Sequence, residues 1–286
     1  MEKIGFVGTG VMGSSMAKHL LEAGYEVHIY TRTKEKAEAL LSQGALWESD
    51  PGSLGAKVDI LISMVGYPKD VEQLYLGENG FLDNLKAGSV AIDMTTSSPA
   101  LAKKIAEAGH EKGIGVLDAP VSGGDIGAKN GTLAIMVGGA EDVFLKVKPI
   151  FEILGSSVIL QGDAGSGQHT KMVNQIAIAS NMIGVTEAII YAERAGLNPS
   201  RVLDSISGGA AGSWSLTNLI PRILEDDFSP GFFIKHFIKD MGIALSEAKQ
   251  MGLELPGLTL AEKMYQTLAE QGLSEEGTQA LIKYYR

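Results

Sequence analysis

Two patterns of apolar residues divide this chain of 286 residues. Up to residue 162, short apolar runs alternate with amphipathic stretches, a rhythm that predicts βαβ units and a parallel, doubly wound sheet. From residue 163 onward, every apolar stretch has helical spacing. We therefore predict an α/β domain over residues 1–162 and an all-helical domain over residues 163–286. The predicted strands are Ile4–Val7, Glu26–Tyr30, Val58–Met64, Val90–Met94, Val116–Asp118, Thr132–Val137 and Val158–Leu160.

The longest predicted helix covers Gln168–Ala195 and is apolar on nearly every face. A helix of this kind is ordinarily buried, so we expect it to pack against another domain or another subunit. On this ground we predict a homo-oligomer, either a homodimer or a homotetramer. Other helices are predicted over Ser14–Glu22, Pro199–Ser207, Ser215–Leu224, Phe232–Met251, Leu258–Gln271 and Gly277–Tyr285.

The first strand leads directly into a glycine-rich turn and then into a helix. The G-x-G-x-x-G spacing in this context is typical of a turn that binds the pyrophosphate of a dinucleotide. Gly8 permits the tight turn, Gly10 lets backbone N–H groups approach the phosphates, and Gly13 lets helix and strand pack closely. The unpaired N–H groups and the dipole of the helix N-terminus favour the anion. The turn comprises Gly8, Thr9, Gly10, Val11, Met12 and Gly13.

The end of the second strand indicates which dinucleotide is preferred. An NAD site usually carries an acidic residue about 20 residues beyond the glycines, to bind the ribose 2′-hydroxyl. Here Thr31, Arg32 and Thr33 occupy that region, and the next acidic residue is Glu35. A guanidinium group and two hydroxyls suit a 2′-phosphate, so we predict that NADP(H) is preferred over NAD(H). The alternative is that Arg32 is a solvated surface residue.

Ligands of doubly wound sheets bind beyond the carboxyl ends of the strands. Met64 ends one predicted strand and Val65 follows it, and Thr95 and Thr96 follow the next strand, so we expect these residues near the ligand. Thr95–Pro99 can alternatively be read as a capping segment, with Ser98 as the N-cap of the following helix. After a third strand come Ser122, Gly123 and Gly124.

Lys171 and Asn174 lie three residues apart near the start of the long helix and therefore share a face. An ammonium group in the first turns of a buried helix is unfavourable, because the helix dipole is already positive there. Such a cost suggests a chemical task, for example donation of a proton to a developing alkoxide. Taken alone, however, a lysine whose amine reaches solvent explains the pattern as well.

Composition narrows the class of protein. The net charge of −10 argues against nucleic acid as a partner, although it does not exclude a small anionic substrate. The absence of cysteine rules out disulfides, thiolate zinc sites and cysteine nucleophiles. No His, Asp and Glu cluster suggests a metal. Because the first strand begins after three residues and Met172–Thr186 is short and interrupted by polar residues, we predict no signal peptide, no membrane span and a cytoplasmic protein.

Four motifs together resemble the β-hydroxyacid dehydrogenases in order and spacing, over the whole chain. That family includes 3-hydroxyisobutyrate dehydrogenases, tartronate semialdehyde reductases and glyoxylate/succinic semialdehyde reductases. The resemblance implies a Rossmann-type domain followed by an all-α domain, with an active site in the cleft between them. It also implies hydride exchange between a nicotinamide and a small β-hydroxy acid or its semialdehyde. The motifs are Gly8–Gly13, Asp118–Gly124, Gly165–Asn174 and Lys239–Asp240.

The resemblance also assigns roles to residues. Lys171 is implied to be the acid/base and Asn174 to orient the substrate, whose carboxylate is held by Ser122, Gly123 and Gly124. Thr95 or Thr96 is implied to lie near the nicotinamide ribose, and Lys239 to reach the cofactor and substrate. Arg32 and Thr33 match the NADP-preferring members, whereas Thr31 replaces their asparagine.

Three alternatives stay open at this point. Trp214 either lines the substrate pocket or belongs to the core. The protein could be a non-catalytic NADP(H)-binding sensor, although a sensor needs only the first domain. An imine reductase shares the implied architecture, but we expect that activity to accompany a different residue at the position of Lys171.

Overall fold

The computed structural model describes residues 2–286, and the chain forms two compact units, Met1–Lys171 and Met172–Arg286. The division falls inside the long helix, later than the predicted boundary after residue 162. The reason is that the first turn of this helix is hydrogen-bonded to the sheet of the first unit: the backbone N–H of Gln168 donates to Asp118.

The first unit contains a mixed sheet of nine strands. The strands are β1 Lys3–Val7, β2 Glu26–Tyr30, β3 Leu46–Trp47, β4 Ile60–Ser63, β5 Val90–Asp93, β6 Gly115–Asp118, β7 Val121–Ser122, β8 Leu133–Gly139 and β9 Gly155–Gly162. Their order in the sheet is β3-β2-β1-β4-β5-β6-β8-β7, with β9 beside β8. The six strands β1 to β6 are parallel, in the order that characterises doubly wound dinucleotide-binding sheets.

The end of the sheet that contains β7, β8 and β9 departs from the predicted parallel arrangement, because β8 runs antiparallel to β6 and β7. The chain reverses through a short helix, Gly124–Asn130, whose C-cap is Gly131, and the φ of 64° at this position suits glycine. Two short strands, β3 and β7, were not predicted. Each has only two residues, too few to show an alternating pattern.

Helices cover both faces of this sheet. On one face the fully buried Phe6 and Met16 belong to a core shared with the first and last helices of the unit. On the other face Leu61 packs with Tyr75 and Phe81, whose rings are arranged edge to face with their centroids 5.5 Å apart. The helices are α1 Val11–Glu22, α2 Glu38–Leu41, α3 Pro51–Gly55, α4 Pro68–Leu76, α5 Phe81–Asn84, α6 Pro99–Glu111, α7 Gly124–Asn130 and α8 Glu141–Leu154, with a 3₁₀ turn at Lys34–Ala37.

The second unit is helical, as predicted. Its core includes Phe237 and Tyr265, whose ring centroids are 5.1 Å apart. The Tyr265 hydroxyl donates a hydrogen bond to the Thr278 carbonyl. The long helix α9, Ser166–Arg194, enters this unit from the first. The others are α10 Pro199–Ile206, α11 Trp214–Asn218, α12 Ile220–Leu224, α13 Ile234–Gln250, α14 Pro256–Glu270 and a 3₁₀ helix at Thr278–Tyr284.

One prediction about these helices is corrected. The helix predicted over Ser215–Leu224 is two short helices, because Pro221, in the first turn of the second one, cannot donate a backbone hydrogen bond within a longer helix. In the single chain, Val173 and Tyr191 of the long helix α9 are 67% and 74% exposed, so the expected contact of this helix with another subunit stays a prediction. By length and composition alone α9 could cross a membrane, but the core helices of soluble proteins meet the same measure.

Candidate functional site

The turn between β1 and α1 has the shape expected of a phosphate site. Gly8 has a φ of 93°, and a Cβ there would lie 2.1 Å from the Met64 carbonyl oxygen. A Cβ on Gly13 would lie 1.8 Å from the carbonyl oxygen of Gly8. A Cβ on Gly10, in contrast, would meet nothing within 4 Å, so this side of the turn is open. Only glycine fits the two packed positions, while the third leaves the backbone accessible.

The N-terminus of α1 is suited to an anion. The helix begins at Val11 with Gly10 as its N-cap, no side chain caps it, and its first turn carries no acidic residue. Val11 is 53% exposed, whereas Thr9 is buried and its hydroxyl oxygen has no hydrogen-bond partner within the described chain. Backbone N–H groups and a helix dipole therefore face open space, which fits the pyrophosphate of a dinucleotide.

The residues predicted to select NADP lie at the end of β2. The Arg32 side chain is 81% exposed, and its guanidinium lies 3.6 Å from the Asp70 carboxylate at the start of α4. Thr33 is exposed and Thr31 is half-buried. An exposed arginine can turn toward a 2′-phosphate, with Asp70 as a competing partner that the sequence analysis missed.

The ends of β4 and β5 are joined by hydrogen bonds. The Val65 backbone N–H donates to the Thr95 hydroxyl oxygen at 2.9 Å. Thr95 is buried, and Thr96 beside it is half-buried. Met64 is held to β1 through its backbone N–H, which donates to the Val7 carbonyl at 2.8 Å. The capping interpretation of this segment also holds, because the Ser98 hydroxyl accepts from Leu101 at the start of α6.

Asp93, at the end of β5, is a buried carboxylate below this loop. One of its oxygens, Oδ1, accepts from the Ser63 hydroxyl at 2.8 Å and from the Thr95 backbone N–H at 3.1 Å. Burial raises the pKa of Asp93 to about 6, and the nearby charge of Asp118 adds to that rise, whereas the hydrogen bonds from Thr95 and Ser63 oppose it. Ser63 in turn bonds to the buried Tyr75 hydroxyl at 2.9 Å.

Asp118 lies directly opposite Asp93, at the end of the neighbouring strand β6. Both of its carboxylate oxygens accept from the backbone at the start of α9: Gly165 donates at 2.7 Å and Gln168 at 2.8 Å. Burial raises the pKa of Asp118, while these two N–H groups pull it down. The carboxylate thus caps the N-terminus of the long helix and is stabilised by its dipole.

Lys171 is brought to the glycine-rich segment after β6. Its side chain is buried, with 6% of the residue exposed, and Nζ donates to the Val121 carbonyl oxygen at 2.8 Å. Val121 immediately precedes Ser122, Gly123 and Gly124, all half-buried. An ammonium group, a hydroxyl and backbone N–H groups therefore lie along one short stretch. Together they can hold a proton and bind an anion.

In the helical unit a second chain of polar contacts involves Asn174 and Lys239. The Asn174 amide donates to the Gln175 side-chain oxygen at 2.7 Å, and the Gln175 amide donates to Asp240 at 2.7 Å. The Lys239 ammonium lies 3.0 Å from the other oxygen of Asp240. The carboxylate of Asp240 therefore links the two predicted residues.

The remaining candidate, Trp214, is not a core residue, because it is 55% exposed at the start of α11. The sequence analysis missed Asp93 and the roles of Gln168, Gln175 and Asp240. Asp93 could have been suspected, since it is an acid at the end of an otherwise apolar run. Over residues 2–286 no cluster of His, Cys, Asp or Glu suits a metal ion.

Comparisons with known proteins match both parts of the chain to families of dehydrogenases. Residues 3–162 match the NAD-binding domain of 6-phosphogluconate dehydrogenase, and residues 165–285 match the NAD-binding domain of NADP-dependent 3-hydroxyisobutyrate dehydrogenase. The chain is 60% identical to an uncharacterized oxidoreductase of Bacillus subtilis, over 99% of this chain and 98% of that one. It is 41% identical to 2-hydroxy-3-oxopropionate reductase of Escherichia coli, over 98% and 96% of the two chains.

Solved structures show the same fold over both units. A 3-hydroxyisobutyrate dehydrogenase from Mycobacterium tuberculosis, with L-serine, matches with a TM-score of 0.91 and 29% identity, covering 100% of this chain and 99% of that one. Psf3 in complex with NADP+ matches with a TM-score of 0.93 and 26% identity, covering 99% and 100%. An imine reductase from Myxococcus stipitatus, at 17% identity, shares the fold alone.

The fold and the matched families define an NAD(P)-binding oxidoreductase of the Rossmann type, with a helical second domain. The chain belongs to the β-hydroxyacid dehydrogenase family and is an NAD(P)-dependent dehydrogenase that acts on CH–OH groups.

Proposed function

We propose that the protein exchanges a hydride between NADP(H) and a small anionic β-hydroxy acid or its semialdehyde, with Lys171 as the acid/base. The observation that carries this proposal is the bond from Lys171 Nζ to the Val121 carbonyl. This bond brings the buried ammonium group of Lys171 next to Ser122, although Lys171 and Ser122 are 49 positions apart in the chain.

When bound, the nicotinamide supplies or accepts the hydride. Gly10 and the N-terminus of α1 would hold the pyrophosphate, Met64, Val65 and Thr95 would line the nicotinamide side, and Lys239 would contact cofactor and substrate. The assignment draws support from the open backbone at Gly10 and the uncapped helix, both of which fit phosphate groups.

The protein's own residues would handle the proton and the anion. In the reductive direction, Lys171 would donate its proton to the carbonyl oxygen, where negative charge develops, and recover it in oxidation. The Ser122 hydroxyl and the N–H groups of Gly123 and Gly124 would hold the carboxylate. Asn174, three residues along the same helix, would orient the substrate with Thr96. Trp214, exposed at the start of α11, remains a candidate for the wall of the pocket.

The preference for NADP(H) rests on Arg32, Thr33 and Thr31 at the end of β2. The guanidinium group is exposed and its nearest acidic partner, Asp70, is 3.6 Å away, a distance at which an ion pair is weak and easily exchanged. Support also comes from the matched structure that contains NADP+.

The decisive experiment measures initial rates over a panel of semialdehydes and hydroxy acids with NADPH, NADH and their oxidised forms. We expect turnover of at least one short carboxylate-bearing semialdehyde, with NADPH the better cofactor. Cofactor binding without turnover of any compound would instead identify a sensor. Reduction of cyclic imines, with no activity on semialdehydes, would identify an imine reductase.

We further infer that the protein is a homodimer or homotetramer in the cytoplasm and binds neither nucleic acid nor membrane. The exposed face of α9 carries Val173 and Tyr191, large apolar residues that a subunit contact would cover. Light scattering at micromolar concentration should give at least twice 30.2 kDa. A monomer, or a change of Tyr191→Arg that leaves the mass of the oligomer unaltered, would count against this face.

A further inference from the structure

The side chain of Gln168 makes two hydrogen bonds that the proposed chemistry does not use. It is fully buried, in the first turn of α9. Its Oε1 accepts from the Ser97 backbone N–H at 2.9 Å, and its Nε2 donates to the Thr95 carbonyl at 2.8 Å. A buried glutamine with both ends of its amide satisfied by backbone is held in one orientation.

The same turn of α9 is also held from the neighbouring strand. The carboxylate of Asp118 accepts from the backbone N–H of Gly165 and of Gln168 itself, at 2.7 and 2.8 Å. Four hydrogen bonds thus join the start of α9 to the ends of β5 and β6. Lys171 follows Gln168 by three residues, and residues three apart in a helix lie one above the other. The position of its Cα is therefore set by this anchored turn.

Resting on the proposed role of Lys171, we propose that Gln168 and Asp118 are positioning residues, which fix the start of α9 and thereby hold the Lys171 amine at the Val121 carbonyl oxygen, beside Ser122. They touch neither the substrate nor the reacting atoms in this assignment. Their effect is geometric: a displacement of about 1 Å in a catalytic group can lower a rate about 100-fold. Of the two residues, only Gln168 forms hydrogen bonds to the loop that carries Thr95 and Thr96, so we expect its replacement to have the larger effect on the rate.

The test is Gln168→Glu, which changes the hydrogen bonding with little change of shape. At pH 8 an ionised carboxylate would place an acceptor against the Thr95 carbonyl oxygen, whereas a protonated carboxyl can donate to it as the glutamine does. We expect kcat at pH 8 to fall at least tenfold, with KM and the NADPH Kd within twofold of wild type. The deficit should shrink as the pH is lowered, because protonation restores the donor.

The matched control is Gln279→Glu in the helical unit. Gln279 is also buried, with 1% exposed, and its Nε2 donates to two backbone carbonyls, those of Asp227 and Ser229, at 3.0 Å. This variant should lose stability in the same way, yet keep kcat within twofold of wild type at each pH. Gln168→Met, which has the same length but no polar end, provides a second variant in case the first does not fold.

A second measurement does not depend on turnover. A pulse of acetic anhydride at pH 8 labels amines, and mass spectrometry then gives the labelling of Lys171 relative to the exposed Lys34. We expect labelling of Lys171 to rise at least threefold in Gln168→Glu or Gln168→Met and to stay unchanged in Gln279→Glu. If wild type turns over no compound of the panel, the proposed function fails, and this labelling still decides the positioning role. Wild-type kcat and wild-type labelling in the folded Gln168 variants would overturn the inference.

Discussion

In the sheet unit, Asp118 accepts hydrogen bonds from two backbone N–H groups, whereas in the helical unit Asp240 contacts two side chains, Gln175 and Lys239. Both carboxylates are buried and both lie next to residues assigned to the site. The backbone donors around Asp118 are fixed by the helix and strand that contain them. The partners of Asp240 are long side chains, which lose rotamer freedom to stay in place.

This difference suggests that the two carboxylates have different functions in the site. The Asp118 carboxylate is held by backbone N–H groups whose positions are fixed before a ligand arrives. Such a fixed arrangement suits the surroundings of Lys171, because the geometry of a group that transfers a proton determines the rate. A chain of side-chain contacts can rearrange when a ligand binds, which suits Asn174 and Lys239. The following predictions test this comparison, beginning with the largest expected effect.

Replacement of Lys171 should affect the chemical step far more than binding. Lys171→Ala removes the proton donor, and assistance of this kind typically contributes about 10²–10⁴-fold to a rate. We expect kcat on the best substrate to fall by about that factor, with NADPH affinity, measured by fluorescence titration, nearly unchanged. Lys171→Arg should rescue little, because guanidinium holds its proton tightly and has a different shape. More than a third of wild-type kcat in Lys171→Ala would make this lysine structural.

Replacement of Asp240 should cost the helical unit much of its stability. Asp240→Ala removes the carboxylate from the Gln175 amide and from the mostly buried Lys239 ammonium, so we expect a loss of about 3 kcal/mol in the free energy of unfolding. The control is Glu275→Ala, whose exposed pair with Lys235 should contribute less than about 1 kcal/mol. Urea unfolding gives both values, and equal losses in the two variants would contradict the buried arrangement.

Asp93 and Asp118 should respond oppositely to replacement by asparagine. The raised pKa of Asp93, about 6, means that its contribution to stability is full only below the ordinary pKa of 3.8 and is lost as the pH rises from there through 6. Asp93→Asn keeps an acceptor for Ser63 and Thr95 without the charge, so at pH 7.5 it should be about 2 kcal/mol more stable than wild type.

At pH 4.5 the advantage of Asp93→Asn should be much smaller, because wild-type Asp93 is then mostly protonated. Asp118→Asn should instead be destabilised at pH 7.5 by about 1–3 kcal/mol, since one of its two backbone donors loses its acceptor. Denaturant unfolding at both pH values is the measurement. A loss of stability in both variants at pH 7.5 would show that Asp93 is held in the same way as Asp118.

The smallest effect is expected at the surface, where neither kind of buried carboxylate is involved. Arg32→Ala should raise KM for NADPH about tenfold, through loss of charge-assisted bonds to the 2′-phosphate, and barely change KM for NADH. Asp70→Asn, which removes the competing partner of Arg32, should change KM for NADPH in the opposite direction. An equal loss with both cofactors, or a wild-type enzyme that prefers NADH, would make Arg32 only a surface residue.

Much of this protein can be predicted from the sequence because the relevant signals are local. The glycines at positions 8 and 13, the N-cap at Ser98 and the change from strand to helical spacing each depend on a few adjacent residues. Strands of four or five residues were therefore found close to their true ends, while two-residue strands and the break at Pro221 were not.

Only the tertiary structure determined which polar residues meet. Asp93 faces Asp118 because of the register of two parallel strands, and Gln168 bonds to Ser97, 71 residues away, because α9 begins beside the end of β5. No periodicity encodes such a pairing, since it depends on how distant elements pack. The exposed face of α9 is a further example: composition makes the helix apolar, but its neighbours decide which side they cover.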